Sequence, residues 1–286
     1  MTSVYIGTSE FAAAVLAAAS PQLGAALVLT RPPAAKGRGR RVAPSPVATM
    51  ARELGIALAE PQALEDAADE IAALSPEAVV LCSYGELVRE PLLSRYEILN
   101  VHPSLLPRWR GAAPIERAIM AGDELTGVSI MRLVAELDAG PVCEMQALAI
   151  DPDDDYGSLS SKLASLGAKL LLAALAGPRR FLEQHGEATY AQKLTAADRI
   201  LDPGQPAAAL ERRVRALRPH VGARLADGLA VSSARVAAEP LAAGELAARE
   251  GHLYLGASPG TLELLRVQPP GGRAMDAASY LRGHAI

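Results

Sequence analysis

The chain is short of several things, and each scarcity removes a class of protein. Among 286 residues there are two cysteines, Cys82 and Cys143. Their spacing fits neither a metal site nor a disulfide framework. Cys82 sits inside an apolar run and reads as an inert core thiol. Cations do not outnumber anions: 28 Lys and Arg against 32 Asp and Glu give a formal charge of −4. Nucleic acid bound over the whole surface is thereby excluded, and such a partner would have to meet local basic patches. Lysine is confined to Lys36, Lys162, Lys169 and Lys193, so arginine supplies those patches. No apolar run approaches the length of a membrane span. The N-terminus carries Glu10 and lacks a positive n-region before a long apolar core, so no secretory signal is expected. The expectation is a soluble protein of a reducing cytoplasm with no membrane partner. The first glycine turn, Gly7-Thr-Ser-Glu-Phe, lacks G-x-G-x-x-G, which argues against NAD or another dinucleotide.

What is present is enough apolar residue, half of the chain, for one large domain or a large one with a small one. Ser3 onward reads as a strand, then a glycine turn, then a helix from Ala12 to Ala19 with Ser9 as N-cap and Glu10 in its first turn. Ala25 to Thr30 is a second strand. Arg31 to Pro46 is too punctuated by Pro and Gly for helix or strand. Val47 to Leu54 is a helix ended by Gly55, Ile56 to Ala59 a strand, Ala67 to Leu74 a helix, and the apolar run from Ala78 a strand buried on both faces. This alternation predicts a parallel sheet with right-handed crossovers, whose ligands collect at the carboxyl ends of the strands.

A helix at Ile115–Met120, a strand from Thr126 and a turn from Glu136 to Pro141 follow. Asp153, Asp154 and Asp155 precede a helix with leucines at 159, 163, 166 and 170. Solvated capping of that helix explains the acidic run better than metal binding does. Between Gly177 and Pro206 the texture becomes that of a linker. Pro206 to Leu217 is an amphipathic helix. Leu229–Ala237, His252–Leu255 and Thr261–Val267 are short strands of the kind that build a small barrel. The expected architecture is α/β. A Rossmann-like, mostly parallel sheet domain covers 1–176, a linker 177–205, and a small C-terminal OB-like β-barrel domain 206–286.

The stretch Leu99-Asn-Val-His-Pro-Ser-Leu-Leu-Pro-Arg-Trp-Arg-Gly-Ala-Ala-Pro carries the chemistry. Asn100 and His102 are two residues apart, so in an extended segment both project to one side. An amide donor beside an imidazole at a strand's carboxyl end is a candidate for holding an oxyanion. Taken alone, the pair is better read as a capped strand end, and Asp138 as an Asp-x-Gly turn residue.

The wording around all three residues changes that. N-V-H-P-S-L-L-P-R-W-R-G-A-A-P-I, then T-G-V-S-I-M-R-L, then L-D-A-G-P-V resembles the formyltransferases that use 10-formyltetrahydrofolate. The likeness extends over nearly the whole chain, through G-T-S-E-F-A at Gly7, G-R-G-R-R-V-A-P-S-P-V at Gly37, T-Y-A-Q-K-L at Thr189, L-E-R-R-V-R-A-L at Leu210 and V-Q-P-P-G-G-R-A-M near the C-terminus. The Gly37 loop and the C-terminal wording are similar to those of the members that act on initiator methionyl-tRNA. The resemblance implies a bacterial-type transferase of translation initiation, with 10-formyltetrahydrofolate as formyl donor and no metal. Asn100, His102 and Asp138 fall on the family's catalytic positions. Ser104, Leu105, Leu106 and Pro107 fall on its folate-binding segment, joined by Tyr84 and Gly85. Lys36, Arg38, Arg40 and Arg41 lie on the loop that enters the acceptor end of tRNA. Arg212, Arg213 and Arg215 form a second basic cluster, for which tRNA backbone and the outer face of a helix are equally good readings. Trp109, flanked by Arg108 and Arg110, fits packing under the loop as well as substrate contact.

The residue types suit the reaction. Asn100 can donate its amide N–H to a developing oxyanion, and a protonated His102 can donate a charge-assisted bond. Asp138 would hold that imidazole in its cationic form and could relay the proton lost by the amine. Two departures fall on the tRNA side: Pro33-Ala34 where the family has Asp-Arg, and Arg218-Pro-His-Val-Gly where it often has Pro-Trp-Pro. Two other readings stay open. One is a formyltransferase for a sugar nucleotide or purine precursor, with the same trio; the other is a non-catalytic RNA-binding protein with a vestigial site. A monomer is expected.

Overall fold

The protein is described from a computed structural model covering residues 1–36, 41–284 and 286. In chain order the elements are β1 (Ser3–Gly7), α1 (Glu10–Leu23), β2 (Ala25–Leu29), β3 (Ala34–Lys36), β4 (Arg41–Ala43), α2 (Pro46–Glu53), β5 (Ala57–Ala59), α3 (Ala68–Leu74), β6 (Ala78–Cys82), α4 (Leu92–Arg95), β7 (Ile98–His102), β8 (Arg110–Gly111), α5 (Pro114–Ala121), β9 (Leu125–Arg132), β10 (Val142–Ala149), α6 (Tyr156–Ala176) and β11 (Tyr190–Ala191). There follow α7 (Ala207–Leu217), β12 (Ala223–Arg224), β13 (Ala230–Ala237), β14 (Leu246–Arg249), β15 (His252–Gly256), β16 (Thr261–Gln268), β17 (Met275–Asp276) and α8 (Ala277–Leu281).

The chain forms two compact units. The first comprises Met1–Pro114, Leu125–Ala149 and Ser160–Gln192; the second comprises Ile115–Glu124, Ile150–Leu159 and Lys193–Ile286. The first is built on a seven-stranded sheet in the order β10-β9-β7-β6-β1-β2-β5. The five strands from β7 to β5 are parallel, and β9 and β10 are added antiparallel. β1, β6 and β7 are buried along their whole length. Their residues Val4, Ile6, Val79, Leu81 and Ile98 pack with Leu27, Leu29 and Ile71 into one core. At the end of β6, outside that core, Cys82 is fully buried, and desolvation pushes its thiol up to about 12.

Local chemistry sets several boundaries. Ser9 Oγ accepts the Ala12 N–H at 3.1 Å and starts α1. The helix runs past Ala19, through Pro21, because Leu23 is fully buried and that burial outweighs the hydrogen bond proline forfeits. Gly24 closes it in a left-handed conformation, φ 60°. The punctuated segment after β2 is not wholly irregular, since β3 and β4 pair antiparallel as a short hairpin. Its paired backbone groups satisfy one another, which composition does not show.

The absence of a span-length apolar run also needs correction. Helix α6 has 21 residues and is apolar enough, by length and composition, to cross a membrane. Serines and lysines interrupt the run in sequence, but its Leu159, Leu163 and Leu171 are fully buried in the protein. At Gly167 an added Cβ would lie 3.0 Å from Val101 of β7, so the helix backs closely onto the strand bearing Asn100 and His102. The acidic run before α6 is only partly solvated. Asp154 is buried, accepting from Asp151 N at 2.9 Å and Ser158 Oγ at 2.7 Å, while Asp155 Oδ1 accepts Ser158 N.

The second unit carries an antiparallel six-stranded sheet, order β12-β13-β16-β15-β14, with β17 paired to β16. Among the described residues this ladder path stays open, so the expected barrel is an open sheet. β12 and β17 are two residues each, too short to carry a closing ladder. Leu210, Val214 and Leu217 of α7 are buried in one core with Val231, Leu253, Leu255, Leu262 and Leu264 of the sheet.

In the same unit the Arg117 guanidinium bonds both oxygens of Asp198, at 2.7 and 3.3 Å. That bond, with help from Thr195, holds the Asp198 carboxyl down to about 2 against partial burial. A carboxylate depressed on folding stabilises above its unfolded value of about 3.9 and loses that contribution as pH falls. The Arg117→Met variant is therefore expected to lose stability near neutral pH. Its stability should also fall less steeply than wild type between pH about 4 and about 2. Urea unfolding at stepped pH measures this, and equal slopes would count against the assignment.

Candidate active site

Asn100 and His102 close β7, and register places them opposite Met131 and Ser129 of β9. Both side chains are almost wholly buried, as strand alternation on one face requires. Past His102 the chain turns through Ser104–Pro107 and is anchored by Ser129. The Ser129 hydroxyl donates to the Ser104 carbonyl at 2.7 Å and accepts Leu106 N–H at 3.2 Å. The chain then returns to the imidazole. Trp109, in left-handed conformation at φ 63°, puts its carbonyl 2.9 Å from His102 Nε2. A carbonyl only accepts, so this bond places a proton on Nε2.

His102 Nδ1 faces Asp138 Oδ2 at 3.6 Å. The Asp138 carboxylate also accepts the Gly111 N–H at 2.8 Å on Oδ2 and the Asn100 amide at 3.3 Å on Oδ1. Asn100, His102 and Asp138 are thus brought together around one buried carboxylate. They lie beside a cavity of about 300 Å³ whose walls are the loops 83–88 and 133–138. Tyr84 and Gly85 are in its lining, together with apolar Leu81, Val88, Leu133 and Val134. The Tyr84 hydroxyl is buried and has no hydrogen-bond partner among the described residues. Burial pushes the Tyr84 phenol up, with Glu86 adding to the effect, so it is a neutral donor. Ser104, Leu105, Leu106 and Pro107 are not in that lining; Ser104 and Leu106 are buried, fastened to Ser129.

Reading by motif named Tyr84, Gly85 and Asp138 in the two cavity loops and passed over the rest of their lining and Gln184. Gln184 donates to the Asp138 and Gly140 carbonyls, both at 2.8 Å, and accepts from Arg110. Its only sequence signal is a polar residue in a stretch with a linker's texture. Among the described residues no cluster of His, Cys, Asp and Glu is placed to hold a metal.

The basic residues fall into two groups. Lys36 and Arg41 are backbone partners at the end of the β3–β4 hairpin, and Arg38 and Arg40 lie outside the described residues. The arginines of α7 are bonded within the second unit. Arg212 donates to Met120 O, Arg213 to Ile200 O and Gln205, and Arg215 to Glu211 and Asp154 O. Arg218 donates to Asp155 at 2.6 Å. His220, at the second departure, stacks on Tyr156 with centroids 3.7 Å apart and meets buried Glu116 at 3.0 Å.

An amide, an imidazole and a carboxylate at the end of a central parallel strand, beside an apolar cavity, suit acyl transfer through a developing oxyanion. The chain belongs to the formyl transferase family: the family model "Formyl transferase" matches residues 1–175, and "Formyl transferase, C-terminal domain" matches 193–285. Within that family it is similar end to end to methionyl-tRNA formyltransferase. The protein of that name from Halorhodospira halophila is 42% identical over 298 residues, covering 99% of this chain and 96% of the relative. Among solved structures, HypX from Aquifex aeolicus superposes with a TM-score of 0.66 at 15% identity. That match covers 99% of this chain and 49% of HypX, so the chain spans about half the length of that neighbour. An N-formyltransferase from Helicobacter canadensis, solved with folinic acid and dTDP-3-aminofucose, gives 0.67 at 13% identity, covering 92% of this chain and 98% of that one. Both structures share the fold.

The anchoring of the 104–107 turn is open to direct measurement. Replacing Ser129 by Ala leaves the buried Ser104 carbonyl and Leu106 N–H without their shared partner, at a cost of about 1–3 kcal/mol. Denaturant unfolding should show that loss, and a Ser129→Ala variant as stable as wild type would contradict the anchor.

Proposed function

We propose that this chain transfers the formyl group of 10-formyltetrahydrofolate to the free amino group of initiator methionyl-tRNA, giving N-formylmethionyl-tRNA. The observation that carries the reading is the Asn100–His102–Asp138 constellation beside a cavity. It sits in a chain that matches methionyl-tRNA formyltransferases over its whole length. The cavity suits a flat heteroaromatic group, with apolar walls and the buried, unpartnered Tyr84 hydroxyl as a ready polar contact. When bound there, 10-formyltetrahydrofolate supplies an activated formyl carbonyl.

The side chains divide the work. Asn100 Nδ2 has two hydrogens; one is given to Asp138, and the other serves the oxygen on which negative charge grows. His102 is held by Trp109 O on one side and Asp138 on the other. With a proton on each nitrogen it sets a positive charge at the cavity wall. Asp138 orients both and accepts the proton that the amine loses as its nitrogen bonds the formyl carbon. The bond from that carbon to the donor nitrogen breaks, and that nitrogen takes up a proton. Ser104–Pro107 supports the folate from the second layer, with Tyr84 and Gly85 in contact. The cationic loop 36–41 meets tRNA phosphates, and the arginines of α7 reinforce the second unit against the same partner. The enzyme acts as a cytoplasmic monomer.

The deciding experiment is a formylation assay with purified methionyl-tRNA and 10-formyltetrahydrofolate, with uncharged tRNA, free methionine and a dTDP-amino sugar as controls. Product on methionyl-tRNA alone is expected; formylation of the sugar alone would favour the other acceptor class, and no product would sink the reading. Asn100→Ala, His102→Ala and Asp138→Asn should each lower kcat about 10²–10³-fold with little change in melting temperature. Arg38→Ala should raise KM for methionyl-tRNA and leave transfer to a small amine unchanged. An equal loss with both acceptors would contradict the role of the loop.

A further inference from the structure

Three non-glycine residues at the site have left-handed backbone: Ser83 at φ 47° in the cavity wall, and Trp109 at φ 63° and Asp138 at φ 47°, which flank His102. Such residues cost on the order of 1–3 kcal/mol each and persist where their surroundings over-determine them. The last two are fastened by one short stretch, residues 184–191. Gln184 Nε2 donates one hydrogen to the Asp138 carbonyl and the other to the Gly140 carbonyl, each at 2.8 Å. Its Oε1 accepts Arg110 Nε at 3.1 Å and Arg110 Nη2 at 2.8 Å. Thr189 Oγ1 accepts the Trp109 N–H at 2.9 Å, and the Thr189 carbonyl accepts the Arg110 N–H at 2.9 Å. β11 then pairs parallel with β8, and the Ala191 carbonyl accepts from Ala112 and Ala113. The approach is close enough to require glycine at 111. An added Cβ there would stand 2.8 Å from Ala191 O, on a residue with φ of +115°.

The stretch therefore grips both halves of the site. One half is the 109–111 loop, which bonds His102 through Trp109 O and Asp138 through Gly111 N. The other is the 138–140 turn. We propose that residues 184–191 act as a strap, with Gln184 and Thr189 as positioning residues for formyl transfer. They hold the Asp138 carboxylate and the Trp109 carbonyl at the geometry His102 needs. Position 184 demands two donors and an acceptor at once: glutamate lacks the donors, and methionine of the same length lacks all three. The inference rests on the reading of the trio given above.

The test compares Gln184→Met, Gln184→Glu and Thr189→Val with wild type in the full chain. A misplaced catalytic group can lose on the order of 10²-fold, so kcat should fall about 10- to 100-fold. KM for methionyl-tRNA and for the folate should stay within about two-fold. Thr189→Ser should restore what Thr189→Val loses. In an Asp138→Asn background Gln184→Met should cost little more, because its effect runs through Asp138. Amide hydrogen exchange over 133–141 should quicken in Gln184→Met while the melting temperature shifts by no more than about 2–4 °C. Wild-type kcat in both Gln184→Met and Thr189→Val would overturn the proposal, as would losses that multiply in the double variant. A wild-type chain that formylates nothing would fail the functional reading instead. The strap would then stand or fall on the exchange data, where unchanged protection at 133–141 overturns it.

Discussion

One buried carboxylate organises the site. Asp138 receives the side chain of Asn100 from β7 and the backbone N–H of Gly111 from the following loop, and it faces the imidazole of His102. Three stretches far apart in sequence are therefore fixed relative to one another by two oxygen atoms. A buried anion demands such company, since desolvation without hydrogen-bond partners would cost several kcal/mol. The same demand explains the left-handed backbone at Asp138. The turn that carries it must reverse direction while aiming its side chain inward, and the carbonyl it exposes is taken up by Gln184.

That dependence separates what the sequence discloses from what it conceals. The shared side of Asn100 and His102 is legible because strand alternation is local. The buried strand at Ala78, the capped start of α1 and the amphipathic α7 are legible for the same reason: each is a pattern within one element. Asp138 gained its place from the wording around it. Gln184 had no local pattern, and Thr189 only the family wording that starts at it, because their hydrogen-bond partners are backbone groups more than forty residues away. The open sheet of the second unit was read as a barrel from strand spacing, yet closure depends on which edges find partners, and that is a property of ladders. β10 escaped notice because an edge strand with half its residues exposed shows no clean apolar face.

Arginine usage gives a second instance of local appearance and long-range assignment. The cluster on α7 looks like a surface for phosphates, and in a chain with four lysines it is among the densest. Its members nevertheless bond carbonyls and carboxylates within their own unit, at distances typical of charge-assisted bonds. A planar fork with five donors suits that work, since one side chain can close several chain ends at once. Arg110 does so at the site, tying Gln184 to Glu136. Cations held in this way brace a fold and present less free charge to a partner.

The division between a braced donor site and a separate acceptor surface follows from the chemistry. Formyl transfer needs one fixed oxyanion geometry whatever amine attacks, so the trio and its clamps gain from rigidity. Acceptors differ in size and charge by far more than the few atoms near the reacting carbon. Choice of acceptor has to be made outside the cavity, by elements whose positions do not disturb Asp138. The strap at 184–191 meets that condition from the inside. It takes up the Asp138 and Gly140 carbonyls on one side and the Trp109 and Arg110 N–H groups on the other, and so braces both stretches that meet the carboxylate on which Asn100 and His102 converge.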